Sequence, residues 1–192
     1  MNCPNLQQSL GWCDGKPVLP GIRRRLYYLA NSFILAWPTR PKDENGRYTS
    51  AEYSGNFTLA ADAKWKYIDV IVDKSGLTSE PQGEQPSQTQ LNKLVAVHPG
   101  VGKEATAAAA YLNNSNNVFL IQDMDANWRV LGSDLYQSKS TVNQDLGQGP
   151  TGTASTTINV EATDITPAPF YCGKVETEDG TFMADGTATP EV

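Results

Sequence analysis

The apolar positions of this chain fall into short runs separated by polar loops, a pattern typical of strands rather than helices. Residues 156–163 alternate apolar and polar side chains, and residues 64–72 alternate before becoming fully apolar. Residues 22–37 are dense in tyrosine, leucine, isoleucine and phenylalanine, which fit the pleated surface of a sheet. Together with two further predicted strands, at residues 57–61 and 91–98, these segments predict a mainly β protein.

One helix is predicted, and it lies within the stretch 102–132. Residues 103–112 contain a run of alanines, the strongest helix former, and Glu104 lies in the first turn, where the helix dipole favours a carboxylate. Asn113 and Asn114 predict a left-handed cap at its end. A helix this short is marginal alone, so its slim alanine face is expected to pack on a sheet.

The clearest hairpin follows this helix. Its strands are predicted at 118–122 and 128–131. The turn resembles a calcium-binding loop through Asp123, Asp125 and Asn127, with Asp134 at the twelfth place. Such a loop requires glycine where this chain has Trp128, and its last ligand is normally glutamate. The sequence therefore favours a plain hairpin turn and predicts no metal site.

Two long polar segments interrupt the strands. Residues 39–56 contain Asn45-Gly46, a turn signal because both residues tolerate positive φ, and they predict a protruding hairpin or a flexible loop. Residues 73–90 are rich in Ser, Gln, Pro, Gly and Glu. They predict a long loop that carries function or is disordered.

The chain is predicted to form one domain with an extension at each end. Residues 1–21 are rich in glycine and proline, and they predict an N-terminal arm that lies on the surface or reaches a neighbouring subunit. Residues 22–173 are predicted to form a β-sandwich or barrel domain. Residues 174–192 are predicted to be an acidic, flexible C-terminal tail. The 192 residues are enough to bury a core.

The charge argues against a protein that binds duplex DNA. The net charge is −6 and the pI is near 4.7, whereas binding to phosphates needs clustered Lys and Arg. The one basic cluster, Arg23 to Arg25, predicts a solvated face or salt bridges between subunits. The N-terminus lacks the pattern of a signal peptide, and no apolar run is long enough to span a bilayer. We therefore expect synthesis in a cytoplasm and no membrane partner.

Candidate catalytic residues are few. The only histidine, His98, excludes a paired-histidine mechanism; it favours a structural role, with a general base beside a cysteine or serine as the alternative. No G-x-S-x-G elbow or Walker sequence is present. Cys3, Cys13 and Cys172 favour reduced thiols, with a Cys3–Cys13 bridge or a shared metal as alternatives. The 21 acidic residues nominate no carboxylate pair. The sequence predicts no catalytic, cofactor-binding or metal residue.

The order of features resembles a known family. The segments that carry the resemblance are WKYIDV, LNKLVAVHPG with the alanine-rich helix after it, VFLIQDMDANWRVLG and STTINVEATDITPAPF. Over residues 12–173 this order is similar to that of small virion structural proteins of tailed phages and prophages of Bacteroidetes, in particular tail-tube-like proteins. In that family, too, the hairpin follows a helix and carries an acidic turn.

The resemblance implies a sandwich or barrel of about eight strands with one flanking helix. It also implies that copies join into rings, usually hexameric, which line a DNA conduit in the tail or neck of a virion. The expected partners are copies of itself and other virion proteins, with DNA only as passing cargo and no cofactor. An acidic lining that does not bind phosphate suits such a conduit.

Other functional classes stay open at this point. A capsid decoration or head-fibre protein would also be acidic and rich in loops, but it would form trimers or capsid-bound monomers. A carbohydrate-binding sandwich would present exposed aromatic rings, for which Trp37, Tyr48, Tyr53 and Trp128 are the candidates. A hydrolase would need a carboxylate pair.

Overall fold

The structure, a computed structural model, describes residues 6–187. This part of the chain forms fourteen strands and one α-helix. The first seven strands are β1 (Ile22–Ala30), β2 (Ile34–Ala36), β3 (Glu52–Tyr53), β4 (Thr58–Leu59), β5 (Lys66–Asp69), β6 (Gly76–Gln82) and β7 (Thr89–Pro99). They are followed by α1 (Lys103–Leu112), β8 (Asn117–Asp123), β9 (Trp128–Leu131), β10 (Lys139–Asp145), β11 (Ser155–Asp164), β12 (Phe170–Tyr171), β13 (Lys174–Thr177) and β14 (Gly180–Met183).

The predicted mainly β fold with one helix is confirmed, and its arrangement is sandwich-like. One sheet has six strands in the order β3-β12-β9-β8-β1-β5, and a second has four in the order β10-β11-β7-β6. Short pairs, β2 with β4 and β13 with β14, complete the fold. The sheets do not close into a barrel.

β8 is the central strand of the large sheet, and both of its faces are buried. Phe119 and Ile121 pack in one apolar cluster, while Val118 and Leu120 pack in another. All four side chains are at most 1% exposed. Burial on both faces explains why this strand is a continuous apolar run instead of an alternating one.

The two clusters form separate layers of core. The first lies between the two main sheets and unites β1, β8 and β9 with β7, β11 and α1. The second lies on the other face of the large sheet, where β2, β4, β13 and β14 contribute to its cover. Trp65 and Tyr171, each 1% exposed, are its largest fully buried side chains.

α1 covers one margin of the four-stranded sheet. It begins and ends where the sequence predicts, at Lys103 and Leu112, and it packs against β10 and β11. Leu112 is fully buried and Ala109 nearly so, which confirms the predicted packing on a sheet. Asn113 Oδ1 accepts a hydrogen bond from the N–H of Val142 on β10 at 2.7 Å. The helix therefore protects part of a sheet edge.

The predicted left-handed cap of α1 is wrong. Asn113 is right-handed (φ −65°, ψ −21°), and Asn114 has no positive φ. Side chains satisfy the last carbonyls instead: Asn114 Nδ2 donates to Ala110 O at 3.0 Å, and Ser115 Oγ donates to Tyr111 O at 2.8 Å. Because these groups are satisfied, the backbone does not need the left-handed turn.

The prediction of a long loop at residues 73–90 is also wrong. After a single turn of 3₁₀ helix at Val72–Lys74, the chain forms β6, which pairs in antiparallel register with β7. Leu77 packs on the first core cluster, and Lys93 of β7 forms an ion pair with Glu80. Backbone pairing to a long neighbour suffices for a polar edge strand, so composition alone misleads here.

The polar segment at 39–56 is folded back by an internal turn. The predicted turn at Asn45-Gly46 is confirmed, with Gly46 at φ 78°. Asp43 Oδ1 accepts hydrogen bonds from the N–H groups of Asn45 and Arg47, both at 2.9 Å. The end of the segment supplies β3, which pairs with β12 in the large sheet.

The predicted C-terminal tail begins too early at residue 174. β13 and β14 form a hairpin there, and Val175 is fully buried in the second core cluster. Ala184 is 6% exposed in the same cluster. The acidic side chains hide the alternation of β13, in which Val175 and Thr177 face inward. Residues 188–192 lie outside the described part.

The N-terminal arm contrasts with the rest of the fold. Residues 6–20 form no strand or helix, and every one of them is exposed. Leu10 is 97% exposed and Trp12 is 71% exposed. The arm therefore carries apolar side chains that its own chain leaves in water.

Candidate functional site

A cleft of about 410 Å³ opens between α1, β5 and the end of β7, and we call it the helix cleft. Its apolar walls include Tyr28, Ala105, Ala108, Leu112, Val142 and Ile158. Its polar groups are Tyr67, Asp69, His98, Glu104 and Thr156. An apolar cavity with a few converging polar groups is the usual form of a binding site.

The local sequence explains the shape of the cleft. The alanines of α1 have no side chain beyond Cβ, so the helix lies beside the sheets without filling the space between them. Tyr28 on β1 and Tyr67 on β5 form the opposite side. Burial raises the pKa of Tyr28, so its phenol stays neutral at physiological pH.

His98 is held by the backbone. Its Nδ1 lies 2.8 Å from the carbonyl oxygen of Asp69. A carbonyl only accepts hydrogen bonds, so Nδ1 carries the proton and, in the neutral ring, Nε2 is an acceptor. Leu94, Ala96 and His98 lie on one face of β7, where the two apolar residues are buried and the imidazole ring is half-buried.

The two carboxylates of the cleft differ in their partners. Asp69 accepts from Arg25 Nε at 2.8 Å, and this hydrogen bond lowers the pKa of Asp69. Arg25 also lies over the ring of Tyr67, with Cζ 3.8 Å from the centroid. Glu104, in the first turn of α1, has no ion-pair partner among residues 6–187. It is the carboxylate that remains available to a ligand.

The cleft is equipped to bind, and its described lining holds no serine or cysteine beside His98. The one aliphatic hydroxyl is that of Thr156, which donates to Gly100 O at 2.8 Å. The alternative role of His98 as a base for a cysteine or serine therefore finds no partner in this lining. What remains is an apolar site with an imidazole nitrogen and a free carboxylate at its rim.

A second cavity, of about 450 Å³, contains Cys172 and Glu52. The Cys172 thiol donates a hydrogen bond to Glu52 Oε1. Burial and this carboxylate raise the pKa of Cys172 to about 11. The thiol is therefore held in its protonated form, which is a poor nucleophile and a poor metal ligand.

We expect Cys172 to react with iodoacetamide at pH 8 roughly 100-fold more slowly than a thiol of ordinary pKa, because its thiolate fraction is that much smaller. Peptide mapping by mass spectrometry would follow it beside the exposed Cys13. Glu52→Gln removes the negative charge and should accelerate the alkylation of Cys172 but not that of Cys13. Equal alkylation rates at Cys13 and Cys172 in the unaltered protein would contradict the raised pKa of Cys172.

Among residues 6–187, the cysteines are free thiols, with Cys13 exposed and Cys172 half-buried. Cys3 lies outside the described residues, so the alternatives of a Cys3–Cys13 bridge or a shared metal are not described.

The acidic turn after β8 is confirmed as a hairpin turn, since β8 and β9 pair directly across it. Asp123 Oδ1 accepts from the N–H of Asn127 at 2.9 Å, and Oδ2 lies 3.3 Å from Arg129 Nε. Ala126 occupies the left-handed region at φ 70°. Among residues 6–187, no cluster of three His, Cys, Asp or Glu side chains has the geometry to hold a metal ion.

Removal of divalent metal by EDTA should leave the melting temperature unchanged, because the Asp123 carboxylate is already occupied by Asn127 and Arg129. Differential scanning fluorimetry with and without added calcium would measure this. A drop of several degrees that calcium reverses would contradict a purely structural turn.

The aromatic residues considered for carbohydrate stacking are not exposed platforms. Tyr53 is 3% and Trp128 is 7% exposed, both within the second core cluster. Trp37 is half-buried against Phe57, and the half-buried ring of Tyr48 lies under the guanidinium of Arg40. Stacking on a sugar needs an open ring face, so the structure corrects this choice of residues.

The three arginines at positions 23–25 have different surroundings in β1. Arg23 and Arg24 are exposed, whereas Arg25 forms ion pairs with Asp69 and, at 3.8 Å, with Asp179. Only part of the cluster is therefore left as a solvated surface.

Comparison of the chain with protein-family models, curated proteins and solved structures finds no match. Within residues 6–187, α1 is the only α-helix, and no helix has the length and apolar content needed to cross a bilayer.

The sequence did not predict the helix cleft, although it pointed to some of its parts. The sequence connects Glu104 with the stability of the helix and His98 with the end of a strand. It indicates only strand positions for Tyr28 and Tyr67. No local signal could have united them, because β1, β5, β7 and α1 meet only in the tertiary structure.

Proposed function

We propose that this protein is a non-enzymatic virion structural protein, tail-tube-like, whose copies assemble into rings that line a DNA conduit in a phage tail or neck. The observation that carries the proposal is the exposed arm at 6–20, in which Leu10 is 97% and Trp12 71% exposed. Apolar side chains held in water mark an interaction surface. The two buried core clusters of the fold include neither Leu10 nor Trp12.

The sheet edges support assembly through specific contacts. β5 and β6 are terminal strands of the two main sheets. β6 carries Pro81 and the Glu80–Lys93 ion pair, features that discourage uncontrolled pairing. β5 lies beside the helix cleft and ends the six-stranded sheet, so it is the edge best placed to meet a neighbouring copy.

The charge supports a conduit through which DNA passes without being bound. The net charge is −6, and the Arg23–Arg25 cluster is reduced by the ion pairs of Arg25. Copies arranged around a channel would repel phosphate and keep the cargo mobile. The resemblance supplies the hexameric number and the partnership with other virion proteins.

Size-exclusion chromatography with light scattering, followed by negative-stain microscopy, tests this function. We expect rings or stacked tubes at raised protein concentration. A trimer, or a monomer that binds only to capsids, would support a capsid decoration or head-fibre protein instead. A protein that stays monomeric at every concentration and binds no virion protein would refute the proposal.

A further inference from the structure

We propose that the helix cleft of one copy receives the side chain of Trp12 from a second copy. The inference rests on the proposed function, since it identifies a contact through which the copies would associate. It joins the exposed side chain of Trp12 and the apolar helix cleft.

Trp12 has the features of an anchor. Its side chain is large and rigid, and one indole carries both an apolar body and an N–H donor. The arm turns directly after it: Lys16 N donates to Cys13 O at 3.2 Å, and Gly15 has φ 80°. This turn presents Trp12, 71% exposed, near a corner of the arm.

The helix cleft has matching features. Its volume of about 410 Å³ exceeds that of an indole ring, and its walls are alanine, leucine, valine, isoleucine and tyrosine side chains. The Glu104 carboxylate can accept the indole N–H, as can His98 Nε2 in the neutral form of the ring. Glu104 has no ion-pair partner within the described chain, and Lys16, which follows Trp12 across the turn, has a charge of the opposite sign.

The position of the arm favours a second copy over the same chain. Residues 6–20 are all exposed, and none of them lines the helix cleft of their own chain. Trp12 therefore lies outside its own cleft and is available to the cleft of a second copy.

Two variants test the contact from its two sides. Trp12→Ala removes the anchor, and Ala108→Leu fills the cleft while keeping a strong helix former. The matched control is Ala107→Leu, on an exposed position of α1 outside the cleft lining. By analytical ultracentrifugation, both test variants should weaken self-association about 30-fold or more, as loss of a tryptophan hot spot does, and the control should not.

A second measurement separates the contact from ring formation. A synthetic peptide of residues 6–20, labelled with 5-fluorotryptophan, is titrated under reducing conditions into full-length Trp12→Ala protein. Its ¹⁹F signal should shift on binding. The shift should be lost with Ala108→Leu in the same background and kept with Ala107→Leu.

The outcomes are distinct. Rings that form equally well with Trp12→Ala and Ala108→Leu would overturn the inference and leave the proposed function intact. Peptide binding blocked by Ala108→Leu in a protein that forms only dimers would support the contact and refute the ring. In full-length protein labelled with 5-fluorotryptophan, the ¹⁹F signal of Trp12 could instead have the chemical shift of the bound state at all protein concentrations. That result would place Trp12 in the cleft of its own chain and would overturn the proposed contact with a second copy.

Discussion

Replacing Asp164 by asparagine is expected to lower the free energy of unfolding by about 3–5 kcal/mol, because it leaves a charged arginine unpaired inside the protein. The side chains of Arg40 and Asp164 are each 2% exposed, and Nη2 lies 2.8 Å from Oδ1. Arg40 stays protonated in any folded protein, so it cannot escape the cost by losing its charge.

The surroundings of Arg40 hold this pair in place. Nη1 donates to Thr166 Oγ1 at 3.0 Å, and the guanidinium lies 4.4 Å from the ring centroid of Tyr48 and 5.1 Å from that of Tyr53. The pair joins the segment before β3 to the last residue of β11. Its loss should therefore loosen β3 and β12 as well as remove the ionic attraction.

Urea unfolding followed by circular dichroism would measure the effect. Glu80→Gln, which breaks the exposed pair with Lys93, is the matched control and should change stability little. The double variant Arg40→Met with Asp164→Leu removes both charges and should recover most of the loss. A loss below about 1 kcal/mol in Asp164→Asn would contradict the burial of the pair.

Replacing Leu120 by alanine is expected to cost about 2–5 kcal/mol, because it opens a cavity in the second core cluster. Leu120 is fully buried at the centre of β8, between its neighbours on β1 and β9. Phe119→Ala should cost about 3–5 kcal/mol in the first cluster, on the opposite face of the same strand. A typical domain has only about 5–15 kcal/mol in total, so either variant removes a large part.

The matched control is Leu146→Ala, at a leucine that is 80% exposed and should have little influence. Urea midpoints would compare the three variants, and an unchanged slope of the transition would show that the unfolded state is not altered. A cost for Leu120→Ala no larger than that for Leu146→Ala would refute the assignment of β8 as the strand shared by both cores.

Much of the fold could be predicted because the relevant signals are local. The alanine run placed α1 at both of its ends, and the apolar runs with an acidic turn between them placed the β8–β9 hairpin. β11 alternates cleanly because one of its faces is buried against the first core cluster. Each of these patterns depends on neighbours only a few positions apart.

Local composition is misleading at the strands that are stabilised by partners distant in the sequence. β6 is polar and rich in turn formers, yet β7 offers it a complete line of backbone hydrogen-bonding groups. β13 has acidic neighbours, yet Val175 fills a space in the second core cluster beside Trp65 and Tyr171. In both cases pairing and burial outweigh propensity, as tertiary context does elsewhere.

The sequence by itself determined the fold class, the single helix, the central hairpin and the acidic net charge. Only the tertiary structure decided which strands share a sheet, that Arg40 meets Asp164 across 124 positions, and that α1 leaves a cleft beside β5. The physical reason is that strand period and helix propensity act over a few residues. A cleft or a buried ion pair depends on surfaces that meet only when the chain has folded.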